Sequence, residues 1–132
     1  MTETPRTSSL PHPGWLPEAR QALAGLGLSP EWPDESIETP GQGAKRSADC
    51  ALRLLAEIDF QPDGLHPSLE GGVRIAFVQG GQTGRYADVQ FLNSGEVVAT
   101  CSERGTPQVW SIQPGNPGLL GALDAIRSFV AR

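Results

Sequence analysis

The chain has few of the residues on which metal sites and disulfides depend. Its 132 residues include two cysteines, two histidines, one lysine and one tyrosine. Neither Cys50 nor Cys101 has a second Cys or a His at the spacing of zinc ligands, so we expect no metal site and no cofactor. We expect both to be buried free thiols that pack as small apolar side chains, and a Cys50–Cys101 disulfide is the alternative that the sequence leaves open.

Clustered basic residues and long apolar runs are also missing. Nine arginines and Lys45 are scattered among fifteen acidic residues, and the formal net charge is -5. Without a basic stripe that could follow a phosphate backbone, nucleic acid is not an expected partner. No apolar run approaches the roughly 18 residues of a membrane span, and the first residues lack the basic and apolar regions of a signal peptide. We therefore expect a cytoplasmic protein that does not bind membranes.

Glycine and proline, in contrast, are abundant. Sixteen glycines and twelve prolines indicate short elements joined by many turns. The length fits one domain with one core. Residues 1–13 contain almost nothing apolar and are predicted to be a disordered N-terminal tail. Residues 14–132 are predicted to form a single α+β domain.

Three segments have the apolar periodicity of helices. The first begins at Trp15 and is ended by Gly25 and Gly27. The second runs from about Gly43 to Ile58, and the third begins at an Asn116 cap followed by a proline. The helical stripes of the second and third segments are Ala48, Ala51, Leu52, Leu55 and Ile58, and Leu119, Leu123, Ile126 and Phe129 or Val130.

Two glycine-rich stretches invite comparison with phosphate-binding loops. The stretch TPGQGAKRS precedes the second helix, but no glycine directly precedes Lys45 and an acidic loop comes before it, so it does not match GxxxxGK[ST] after a buried strand. The run GGQTGR, residues 80–85, would have to open a helix to bind phosphate. It is followed by RYADVQFL, which has strand periodicity. We therefore predict a hairpin loop.

Four segments alternate apolar and polar residues as half-buried strands do. They are residues 73–79, 85–92, 96–101 and 108–112. Between the second and third lies NSG, which suits a tight hairpin with one left-handed residue. His66 follows a turn cluster and is predicted to lie in a loop. The predicted fold class is α+β, with a four-stranded antiparallel β-meander and helices packed on one face.

The segments GGVRIAF, RYADVQFLNSGEVVA and PQVW, followed by an amphipathic C-terminal helix, resemble a pattern of small uncharacterised bacterial α+β proteins. The resemblance covers residues 70–132. Its motifs consist of turn and strand residues, so it implies the fold and brings no catalytic residues with it.

The function predicted first is that of a non-enzymatic protein-interaction module, such as an antitoxin-like, immunity or adaptor protein that masks a more basic partner. Alternation turns one set of strand residues away from the helices, and the partner-binding candidates in it are Arg74, Tyr86, Asp88, Gln90 and Val98. Tyrosine and arginine are enriched in interface cores. Tyr86 would anchor a protein partner or a second copy in a homodimer, and Arg74 and Asp88 would orient it. An ordinary exposed sheet face is the alternative.

Two further functions remain open. One is a small hydrolase that uses Asp88 and Glu96, which could face each other near one hairpin. No serine lies in a GxSxG frame, and acids on an open sheet face usually serve solubility. The other is a small-ligand module with a pocket formed by Trp15, Trp32 or Trp110, although these rings serve equally well as core anchors.

Overall fold

A computed structural model describes residues 14–26, 39–77, 85–103, 106–112 and 116–131. Within these ranges the chain forms three helices and one antiparallel sheet, which confirms the α+β class. The elements are α1 (Trp15–Gly25), α2 (Gln42–Glu57), β1 (Gly64–Pro67), β2 (Gly72–Phe77), β3 (Arg85–Leu92), β4 (Val97–Glu103), β5 (Thr106–Ser111) and α3 (Asn116–Ala131). The predicted tail, residues 1–13, lies outside the described residues.

The sheet has five strands in the order β1-β2-β3-β4-β5, so the prediction of four strands is wrong. The additional strand is β1, which pairs antiparallel with β2 and places His66 opposite Arg74. His66 therefore lies in a strand and not in the predicted loop. Gly64 and Pro67 are turn-type residues, and a proline is tolerated in a strand mainly at the edge of a sheet, where β1 lies.

Both predicted hairpins join neighbouring antiparallel strands. Residues 78–84, which include most of the GGQTGR run, lie outside the described residues, but β2 and β3 on either side pair directly. Arg85 begins a strand, so the run does not open a helix. In the next hairpin Gly95 has a φ of 98°, which confirms the single left-handed residue.

One alternating set of strand side chains shares a buried cluster with the helices. Helix α2 contacts β2 and β3, α3 contacts β3 and β4, and α1 contacts β1 and α2. The rings of Phe60 and Phe77 stack with centroids 4.8 Å apart. Fully buried members of the cluster include Leu52 and Leu55 of α2, Leu123 and Ile126 of α3, and Val73, Ile75, Phe77 and Val89 of the sheet.

The only lysine of the chain joins α1 to α2. Lys45 is 7% exposed, and its Nζ donates a hydrogen bond to the backbone oxygen of Ala24, 3.0 Å away in the last turn of α1. Arg20 and Asp49 form a second link between these helices, with 2.7 Å between Nε and Oδ1. The ammonium group thus satisfies a carbonyl near a helix C-terminus, where positive charge is favourable.

Neither Cys50 nor Cys101 forms a disulfide in the described part of the chain. Cys101 is buried, as expected, but Cys50 is exposed, so the expectation of burial is wrong for Cys50. It follows Ala48 by two residues, which places it about 200° around α2 from that buried position. Among the described residues, no helix is long and apolar enough to cross a membrane.

Candidate interaction surface

The side of the sheet opposite the buried cluster forms the candidate site, called here the outer face. Its register places Arg74 opposite Gln90, and Gln90 opposite Val98 on the next strand. The structure therefore brings all five partner-binding candidates onto neighbouring positions of one face. The outer face includes His66, Arg74, Ala76, Tyr86, Asp88, Gln90, Val98, Thr100, Ser102 and Val109.

Arg74, Tyr86 and Asp88 form a hydrogen-bonded chain on the outer face. Arg74 Nη1 donates to Tyr86 Oη. Tyr86 Oη in turn donates to Asp88 Oδ2 over 2.9 Å, and Arg74 Nη1 lies 3.9 Å from the same carboxylate oxygen. The phenol therefore connects the guanidinium to the carboxylate.

The position of Asp88 explains its burial. Asp88 is opposite Ala76, and Arg74 and Tyr86 lie on either side of this pair, two residues along β2 and β3. Because their long side chains meet above the small alanine, the side chain of Asp88 is only 7% exposed. The sequence had placed Asp88 on an open face, and that expectation of exposure is wrong.

The two oxygens of this carboxylate differ in their hydrogen bonding. Asp88 Oδ1 is buried and has no hydrogen-bond partner in the described part of the structure. Most buried polar atoms in proteins are hydrogen-bonded, and an unsatisfied one costs about 1–3 kcal/mol, more when it is charged. This atom is therefore a point at which a donor from outside would gain free energy.

Two neighbouring groups have shifted pKa values. Burial raises the pKa of Tyr86 above 10.0, with further increases from its hydrogen bond to Asp88 and from the Asp88 charge, while Arg74 acts in the opposite direction. Burial lowers the pKa of His66 below 6.5, and the positive charge of Arg74 lowers it further. The outer face thus favours a protonated phenol and a neutral imidazole.

Sequence reasoning missed Ser68, which fixes Gln90. Ser68 is fully buried, and its Oγ donates to Gln90 Oε1 over 2.6 Å. The same oxygen accepts a hydrogen bond from the backbone N–H of Glu70 at 3.1 Å. The sequence contains a signal for this contact in the turn SLEGG. A serine hydroxyl in a turn often accepts a hydrogen bond from the backbone two residues later.

Asp88 and Glu96, the carboxylates of the hydrolase hypothesis, do not face each other. Asp88 lies opposite Thr100, and Glu96 precedes Thr100 by four residues, a separation of about 13 Å along a strand. Glu96 is exposed in the hairpin, whereas Asp88 is buried. Among the described residues, no group of three His, Cys, Asp or Glu side chains could hold a metal ion.

Trp15 and Trp110 do not share one pocket. Trp15 lines a cleft of about 270 Å³ with residues that include Pro62 and Leu65. Trp110 lines a different cleft of about 740 Å³ between β5 and α3, which also contains Cys101 and Phe129. Trp32 lies outside the described residues.

Comparisons of the chain with protein-family models, curated proteins and solved structures find no match.

Proposed function

We propose that this protein is a non-enzymatic interaction module that binds a protein partner through the outer face, with Arg74, Tyr86 and Asp88 at the centre. The observation that carries the proposal is the buried Asp88 Oδ1 without a donor, on the side of the sheet opposite the helices. A lysine, arginine or backbone N–H of the partner would supply the missing hydrogen bond. Charge-assisted bonds of this kind are the stronger ones.

The residues around Asp88 suit such a contact. Arg74 and Tyr86 are both partly exposed, and a partner would reach the buried carboxylate by displacing these two side chains. Tyrosine and arginine are common binding hot spots. Half-buried Val98 and the more exposed Val109 add apolar area to the same face. The chain carries a net charge of -5, which favours encounter with a basic partner.

Antitoxin-like, immunity and adaptor proteins act by covering a surface of their partner in this way. In such roles the protein acts by occupying a basic surface of its partner, and no bond is made or broken. The affinity for the partner is therefore the quantity to measure. Added salt should weaken binding, because it screens the charges of the two proteins.

The test is capture of the partner from the protein's own cells with the tagged chain, followed by titration of the purified partner. Tyr86→Ala and Arg74→Glu should each weaken binding by about 1–4 kcal/mol if they are hot spots. Arg46→Glu is the matched control, because it makes the same charge change at an exposed position of α2. If the Tyr86→Ala, Arg74→Glu double variant binds the partner as tightly as the wild type, the outer face is not the binding surface.

A further inference from the structure

The outer edge of β5 carries backbone groups that point away from the sheet. Ile112 N donates to Val97 O over 2.9 Å, which fixes the alternation of the β4–β5 ladder. In an antiparallel ladder, residue pairs that exchange backbone hydrogen bonds alternate with pairs that do not. Counting by two from Ile112, the backbone groups of Trp110 and Gln108 are therefore the ones that bond to β4. The N–H and C=O groups of Val109 and Ser111, and the C=O of Pro107, therefore point outward.

Among the described residues, this edge has only one of the features that normally protect an edge strand, and that feature is a proline. β5 is the last strand in the sheet order, and Val109 is 61% exposed. The strand TPQVWS contains no charged residue, although charges are a common means of preventing edge-to-edge pairing. Pro107 alone limits pairing, because it has no N–H to donate. At the opposite edge, β1 has only four residues and ends in a proline.

We propose that β5 pairs antiparallel with β5 of a second copy of this chain, so that one sheet runs through a symmetric dimer. A twofold axis at Val109 lets the two Val109 residues exchange both backbone hydrogen bonds. Ser111 N–H then reaches the C=O of the partner's Pro107. In this register Pro107 accepts one hydrogen bond and donates none, so the C=O of Ser111 gains no donor from the second copy. Twofold contacts of this kind are self-complementary.

The charge distribution favours the β5 edge over charged surfaces as the place where a second copy binds. Each chain carries a net charge of -5, so two copies repel each other across most surfaces. The six residues of β5 carry no charge, which makes this edge a favourable place for approach. Pairing would cover Val109 with the partner's Val109 on the outer face. On the helix side, Trp110 would lie beside the partner's Gln108. This inference goes beyond the proposed function, since it uses the edge and not the centre of the outer face.

The test is the mass of the full chain by analytical ultracentrifugation from about 10 µM to about 1 mM, a range that detects weak association. A single strand edge is smaller than the roughly 800 Å² per partner of a standard interface, so affinity should be modest. The mass should rise from 14.0 kDa towards twice that value. Val109→Lys should remain monomeric, whereas Leu69→Lys, at a residue 80% exposed and outside β5, should dimerise as the wild type does.

A second measurement on the wild type avoids any effect of the variants on folding. The amide protons of Val109 and Ser111 should exchange more slowly as concentration rises, while those of Gln108 and Trp110, bonded to β4, should be protected at every concentration. A wild type of 14.0 kDa at the highest concentration overturns the proposal. Dimeric Val109→Lys, or exchange at Val109 that does not depend on concentration, also overturns it.

Discussion

The side chain of Asn93 accepts a hydrogen bond from the backbone N–H of Gly41, with 2.7 Å between Oδ1 and N. Its Nδ2 also donates to Thr39 O over 3.0 Å, so one amide joins the β3–β4 hairpin to the entry of α2. Asn93→Ala should lower the free energy of unfolding by about 1–2 kcal/mol, because two backbone groups lose their partner. Urea denaturation measures the loss. Ser94→Ala in the same turn is the control, and an equal effect of both variants would contradict this role.

The single tyrosine makes the outer face directly observable. Since the folded state raises the pKa of Tyr86, the stability associated with the protonated phenol is present below pH 10.0 and is lost as pH rises above it. Asp88→Asn should lower the pKa of Tyr86, because the negative charge no longer opposes the phenolate. Ultraviolet absorbance of the phenolate reports Tyr86 alone. Asp124→Asn on α3 is the control, and an unchanged midpoint in Asp88→Asn would show that the two side chains do not interact.

His66 should titrate below 6.5. A lowered pKa favours the neutral imidazole in the folded state, so stability is retained above pH 6.5 and decreases as pH falls below it. Arg74→Gln should raise the midpoint only in part, because burial is the larger cause. Proton NMR of the imidazole follows the titration, and His12→Gln assigns the signal. A midpoint in Arg74→Gln no higher than that of the Arg53→Gln control would contradict the proximity of His66 and Arg74.

Gly72 is required where β2 begins. It has a φ of 137°, and a Cβ there would lie 2.1 Å from the backbone oxygen of Phe91. Gly72→Ala should therefore destabilise the protein by about 1–3 kcal/mol. Gly121→Ala in α3 should instead stabilise it by about 0.5–1 kcal/mol, since nothing lies within 4 Å of its Cβ. Thermal and urea denaturation of both variants provide the comparison, and shifts of the same sign would be inconsistent with these environments.

The stripes of α2 and α3 should be essential to stability. Leu55 and Ile126 are completely buried in the common cluster. Leu55→Ala and Ile126→Ala should each cost about 2–5 kcal/mol, the sum of lost transfer free energy and cavity formation. Leu120→Ala, at a residue 38% exposed on α3, is the control. Midpoints of denaturation as high as that of the control would show that these side chains are not part of the core.

The elements with strict periodicity could be predicted from the sequence, and the irregular one could not. Strand β3 has the predicted bounds, Arg85–Leu92, because it alternates for eight residues and follows a glycine. Strand β1 contains Gly64 and Pro67 and has no clear alternation. It is defined by pairing with β2, which is a tertiary contact that local patterns do not contain.

The candidate site was predictable as a set of residues but not as a network. A period of two places Tyr86 and Asp88 on one face of β3, and the apolar alternation of β2 places Arg74 on the side of its strand away from the core. That Arg74 and Tyr86 meet above Asp88 depends on the pairing of Ala76 with Asp88, which the sequence does not give. The burial of Asp88 could therefore not be predicted from the sequence. The contact of Ser68 with Gln90 likewise depends on β1, the strand that was missed.

The hydrogen bond from Lys45 to Ala24 restricts covalent chemistry at the only lysine of the chain. Acetylation, or attachment of another protein through an isopeptide bond, requires a free and uncharged amine that can reach the modifying enzyme. Here the side chain is 7% exposed, so the amine reaches a modifying enzyme only after its hydrogen bond to Ala24 is broken. An acylated Lys45 could no longer place a positive charge against the last turn of α1. Modification at this side chain would therefore remove one of the links between the two helices and leave the Arg20–Asp49 ion pair in place.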